Sequence, residues 1–178
     1  MKTKNNKTLL AALFVIAGSL TFAVRAADDI QAEARQAMGN FQQADSSLKQ
    51  YFDSSAGYVI FPSVAKGGLV IGGAHGKGIV YANGKAIGQA TLTQASIGAQ
   101  VGGQSFAEVI FFETPTALED FKGGNFEMSA DVSAVAAAEG ASKAAKYKNG
   151  VMVFALPKKG LMVQASIGGQ KFKFEPLE

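Results

Sequence analysis

The sequence predicts an α+β fold: an N-terminal helix packed on a curved, mainly antiparallel sheet, barrel-like if its edges meet, with one inserted short helix. Three observations predict it. Apolar residues recur at steps of three and four early in the chain, short β-type runs broken by glycine follow from Gly57 onward, and a helix-start signature at Thr114-Pro115 interrupts those runs. The 178 residues can bury a sizeable core, and the absence of cysteine leaves that core without disulfides.

Residues 1–26 read as a secretory signal peptide. Lys2, Lys4 and Lys7 precede an apolar run from Leu9 to Val24, and Val24-Arg25-Ala26 has the small-residue spacing of a cleavage site. Gly18, Ser19 and Thr21 break the run, which favours cleavage after Ala26 over a retained span. The expected product is a single domain, residues 27–178, exported to the periplasm or secreted. Losing the leader removes Lys2, Lys4, Lys7 and Arg25 and no acid, so a net charge of +3 becomes −1. That balance excludes nucleic acid as a partner, because such binding needs a basic surface that displaces phosphate counterions.

From Ala27 to Asp53, Ile30, Ala34, Ala37, Phe41, Ala44, Leu48 and Phe52 keep the helical period, with Asp28 or Asp29 as cap and Gly39 as a weak point. The runs Tyr58 to Phe61, Gly68 to Ile71, Gly78 to Tyr81 and Ala86 to Leu92 read as strands, and Asn83-Gly84 supplies the hairpin turn that needs positive φ twice. The alternation of Ala95, Ile97, Ala99 and Val101 with polar partners gives another strand, and Val109 to Phe112 one covered on both faces. Thr114, Pro115 and the Thr116-to-Glu119 spacing start a helix at about 115–122, which Gly123-Gly124 closes. Phe126 to Glu139 alternates and is expected as a strand. Asn149-Gly150 opens the strand Val151 to Leu156, Lys158-Lys159-Gly160 turns into Leu161 to Ile167, and Gly168-Gly169 holds a turn or bulge before Phe172 and Phe174.

Gly57-Tyr58-Val-Ile-Phe61-Pro62, then Lys66-Gly67-Gly68, Ile71-Gly-Gly73, Gly76-Lys-Gly78 and Ser96-Ile-Gly-Ala-Gln-Val-Gly-Gly103, closely resemble the SYLF domain family over most of the expected mature chain. The resemblance implies a lipid-binding module, which in eukaryotic relatives also binds actin filaments, and an exported bacterial member of the cell envelope. Actin is not carried over, because an exported bacterial protein would not normally meet it. Where eukaryotic relatives have a membrane-active amphipathic helix, the first helix here is acidic, holding Asp28, Asp29, Glu33, Asp45 and Asp53 against Arg35 and Lys49, and anionic lipids would repel its charges.

The cations gather later. Lys143, Lys146, Lys148, Lys158, Lys159, Lys171 and Lys173 face only Glu175 and Glu178 in the last 36 residues, so they are the candidate lipid-headgroup ligands. A solvated sheet edge guarded by lysines is the competing account. The phenylalanines from Phe106 to Phe174 read as core filling before acyl-chain lining. Catalysis is not expected. Gly72 to Gly78 lacks the spacing of a phosphate loop, and His75, the sole histidine, has no Cys or second His for zinc and reads as a turn residue. The expected function is therefore a non-enzymatic module binding a phospholipid membrane surface, with no metal and no cofactor. A small outer-membrane β-barrel, or an envelope protein without a lipid ligand, remain alternatives.

Overall fold

The computed structural model describes residues 28–68, 71–97, 104–124, 126–129, 131–158 and 167–177. The leader, its cleavage site, the run 161–166 and Lys159 lie outside the described residues. Helix α1 covers 28–44, a 3-10 turn covers Ser46–Leu48, and α2 covers Lys49–Ser54. Strands β1 (Gly57–Gly68), β2 (Ile71–Ala82), β3 (Lys85–Ile97) and β4 (Gln104–Phe112) follow, then α3 (Pro115–Lys122), β5 (Val135–Ala136), α4 (Ala141–Ala144), β6 (Val151–Pro157) and β7 (Gln170–Pro176). Of the predicted strand runs, Tyr58 to Phe61 lies in β1, Gly78 to Tyr81 in β2 and Ala86 to Leu92 in β3, whereas Gly68 ends β1 and Ile71 opens β2, and residues 69–70 and 98–103 lie outside the described residues. Asn83 and Gly84, both at positive φ, join β2 to β3, and Asn149 and Gly150 make a second tight turn before β6.

The sheet runs β5-β6-β4-β1-β2-β3-β7, antiparallel throughout except for the short parallel pair β5 and β6. It is curled but not closed into a barrel. In a flat sheet β4 and β7 would lie four spacings apart, roughly 19 Å. Instead, Gln170 of β7 donates a hydrogen bond to Glu108 of β4 at 3.1 Å, and the rings of Phe61 on β1 and Phe172 on β7 are 5.9 Å apart. The tight bend needs glycine. A Cβ on Gly78 would stand 2.5 Å from the Ile60 carbonyl oxygen, so β2 lies against β1 only because that side chain is missing. Pro62 sits in a bulge where the register of β1 shifts against both neighbours, a site that can spare an N–H.

Each face of the sheet has its own core. On the convex face α1, the 3-10 turn and α2 bury Ala34, Ala37, Phe41, Leu48 and Phe52 against Tyr58, Ile60, Ile79, Val109, Phe111 and Phe154. On the concave face α3 contributes Leu118 and Phe121 to a core with Val59, Phe61, Ile110, Phe112 and Phe172. That arrangement is why Val109 to Phe112 is apolar on both sides. It also argues against an outer-membrane barrel, whose sheet closes and turns an apolar exterior to lipid.

Two sequence expectations need correction. The 27–53 helix is not continuous, and it breaks at Asp45 while Gly39 stays helical. Asp45 is extended, and its carboxylate accepts bonds from Ser47 N (3.0 Å) and from Ser142 N on α4 (2.8 Å), the local competition that ends helices at Asp-Ser-Ser runs. Asp45 is fully buried, which alone would raise its pKa, but the bonds from Ser47 and Ser142 hold it well below the usual carboxylate range. A depressed pKa stabilises the fold above the unfolded value and loses that effect as pH falls through the folded one. Asp45→Ala is therefore expected to cost about 2 kcal/mol at pH 7 by leaving buried donors unmet, with the gap to wild type narrowing below about pH 4. Urea denaturation at both pH values measures it.

The second correction concerns Phe126 to Glu139. Met128, Val132 and Ala134 are buried and Glu127, Ser129, Asp131 and Ser133 exposed, as alternation requires, yet among the described residues the segment pairs as a strand at Val135–Ala136 alone and meets β7 in a single bridge of Glu127 with Lys171. The segment is a strap. Met128 exchanges backbone bonds with Gln170 and Gly169 beside β7, and Val135, Ala136 and Ala137 run along β6, so the strap links the two margins of the curled sheet. Helix α3 forms as read, with Thr114 Oγ1 accepting from Ala117 N at 3.2 Å, although Glu119 pairs with Lys122 instead of closing a capping box.

Candidate functional site

The helices cover only half of the convex face. Strands β1 to β3 are 12 and 13 residues long, and α1 and α2 pack on their Tyr58, Ile60, Ile79 and Tyr81 half. The other half is open, and the register fixes what it presents. Ser63 lies opposite Lys77, Lys77 opposite Thr91, and Thr91 opposite Lys173, which makes one row across β1, β2, β3 and β7. The next row runs Ala65, His75, Thr93, Lys171. Adjacent strands are about 4.8 Å apart, so each row is a ladder of neighbouring side chains on one face. Lys77, His75, Thr93, Lys171 and Lys173 are all exposed.

The face combines cations with hydroxyl donors and small side chains that let a flat surface come close. Ser63 and Ser105 add hydroxyls 3.2 Å apart beside it. Lys173 meets Glu175 at 2.7 Å and Lys171 meets Glu127 at 3.5 Å, with every partner more than half exposed. The Lys173 contact, with Lys77 nearby, lowers the Glu175 pKa, and Glu175 raises that of Lys173. Such solvated pairs contribute little stability and yield readily to another anion.

The predicted lysines do not all gather here. Lys143 is on α4, Lys146 and Lys148 precede β6, and Lys158 follows it, beside a groove of about 690 Å³ between α1 and β1, β4 and β6. Lys148 is held by Asp131 at 3.1 Å. A strand of seven residues spans roughly 23 Å, so Lys158 is far from Lys146 and Lys148. Lys77 and His75 are the partners of Lys171 and Lys173 that residue order did not suggest. His75 is correspondingly a mid-strand residue of β2, not a turn residue.

The family-motif residues serve the sheet. A Cβ on Gly57 would meet the Tyr81 carbonyl oxygen at 2.7 Å, and Tyr58 stacks on Tyr81 at 5.0 Å, its hydroxyl pushed up to about 12 by burial and by Tyr81 and Asp53. Phe61 is core and Pro62 fills the bulge. Gly67 and Gly68 lie opposite Gly73 and Gly72. Lys66, despite its charge, is buried on the concave side with Glu108, its pKa lowered by burial. Among the described residues no group of three or more His, Cys, Asp or Glu is placed to hold a metal ion.

Residues 93–176 match the Ysc84 family model, described as Las17-binding protein actin regulator. Beta cell expansion factor A of Aeromonas veronii is 32% identical over 129 residues, 71% of this chain and 48% of that protein. The chain thus spans about half the length of that curated relative.

Proposed function

The chain belongs to the Ysc84 (SYLF) domain family, whose membership supports a lipid- or actin-binding module in general, and we propose that this member binds the surface of anionic phospholipid membranes in the bacterial cell envelope. It does so without catalysis, as an exported protein of the periplasm or the medium. The observation that carries this reading is the cross-strand alignment of Lys77, Lys171 and Lys173 on an open face of hydroxyl and small side chains. A headgroup phosphate takes its hydrogen bonds from lysine and threonine, and each lysine near an anionic leaflet contributes about 1 kcal/mol. Helix α1 is not the membrane element. Its apolar side is spent on the convex core, and its exposed side carries Asp28, Asp29 and Glu33.

Co-sedimentation of the chain lacking residues 1–26 with vesicles tests the proposal. Binding is expected to anionic and not to neutral vesicles, and to fall steeply as salt is raised from about 0.05 to 0.5 M, because the Debye length drops below the lysine reach. Equal binding to neutral vesicles at high salt, or none at any salt, would contradict it.

A further inference from the structure

The concave face holds a polar pair that the proposed membrane surface does not use. Glu108 of β4 and Gln170 of β7 are both fully buried, and the Gln170 amide Nε2 donates to Glu108 Oε2 at 3.1 Å. That bond leaves one oxygen on each side chain. Glu108 Oε1 and Gln170 Oε1 are buried, and neither has a hydrogen-bond partner among the described residues. With Glu108 ionised, both are unmet acceptors and one belongs to a buried charge, which is the most costly way to leave polar atoms in a core. A single proton resolves both. A carboxylic acid and a primary amide close a ring of two hydrogen bonds, amide N–H to acid carbonyl and acid O–H to amide carbonyl.

We propose that Glu108 is protonated in the folded protein and forms a closed acid–amide pair with Gln170, a proton-gated latch that holds β7 against β4 across the concave face and is released when the carboxyl group ionises.

The surroundings favour the neutral acid. From β4 itself Phe106 and Ile110 flank Glu108, and β6 places Ala155 opposite it. From β3, Gln94 donates to the Gly168 carbonyl at 2.8 Å, which fixes the chain entering Gln170. From β1, Lys66 is the charged group whose field acts on Glu108. Burial outweighs the Gln170 hydrogen bond and the Lys66 charge and pushes the Glu108 pKa up to about 7. A carboxyl group with a raised folded pKa stabilises the fold at low pH, and that contribution is lost as pH rises from its unfolded value through the folded one. Release would loosen β7 and, through the Met128 bonds to Gly169 and Gln170, the strap. The latch stands independently of what the convex face binds.

Urea denaturation of the full-length chain at pH 5, 6.5 and 8, beside Glu108→Gln, tests it. Glutamine can close an amide–amide ring with no proton to lose. Between pH 5 and 8 the wild-type folding equilibrium constant should fall about 50- to 100-fold, and that of the variant less than about threefold. Equal pH slopes for the two proteins would overturn the latch. Should Glu108→Gln not fold, the wild type labelled with ¹³C at glutamate carboxyls decides the question. One glutamate titrating with a midpoint near 7 supports the latch, and all of them titrating in the ordinary range overturn it.

Discussion

Replacing Lys77, Lys171 and Lys173 together with glutamate is expected to abolish binding to anionic vesicles while leaving the fold intact. The three side chains are exposed on one convex face, and none of them supports a core contact. Three favourable contributions of about 1 kcal/mol disappear, a loss on the order of a hundredfold in affinity before the added repulsion is counted. The stability cost is small, because the pairs lost among the described residues, Lys171 with Glu127 and Lys173 with Glu175, are exposed. Lys143, Lys146 and Lys158, changed to glutamate in a second protein with the same change in net charge, should weaken binding far less. The comparison separates a defined face from a general attraction between cations and a negative leaflet.

Phe111→Ala is expected to be the most damaging single core substitution, costing about 3 to 5 kcal/mol. The Phe111 ring is fully buried on the convex face and lies 4.9 Å from Phe52, 5.8 Å from Tyr51, 6.0 Å from Tyr58 and 6.2 Å from Phe154. It is therefore the group through which α2, β1, β4 and β6 touch one another. Truncation removes apolar area and the ring contacts, and it leaves a cavity that strands held by ladders on both sides cannot collapse into. A stability of about 5 to 15 kcal/mol is usual for a domain, so the variant is expected to melt far lower, as thermal circular dichroism would show.

What the sequence made legible was local. Helix α3 announces itself because its cap, its proline and its closing glycines lie within eleven residues of one another. Phe111 and Phe112 are recognisable as doubly covered because an unbroken apolar run has few other uses. The candidate face was half legible. Lys171 and Lys173 stand out as part of a basic segment, but Lys77 and His75 are almost a hundred residues away and reach them only through the β2, β3 and β7 register. No periodicity encodes that pairing, since strand neighbours are chosen by the whole sheet. The same topology disperses Lys143, Lys146 and Lys158, which are close in sequence and apart in space. Phe126 to Glu139 shows the converse. Its alternation reported which side chains are buried, but a strap over a concave surface alternates just as a paired strand does. Asp45 was hidden for a third reason, because its chief partner Ser142 comes from α4, 97 residues on.

The chain has no cysteine, so a single introduced thiol can carry a probe of the convex face. The direct measurement is the emission of an environment-sensitive fluorophore on Thr93→Cys, at the centre of the lysine rows, and on Thr116→Cys, exposed on α3 against the opposite side of the sheet, titrated with anionic vesicles at low salt. The account predicts a blue shift at position 93 that high salt reverses, and none at 116. A response at 116 without one at 93 would contradict it.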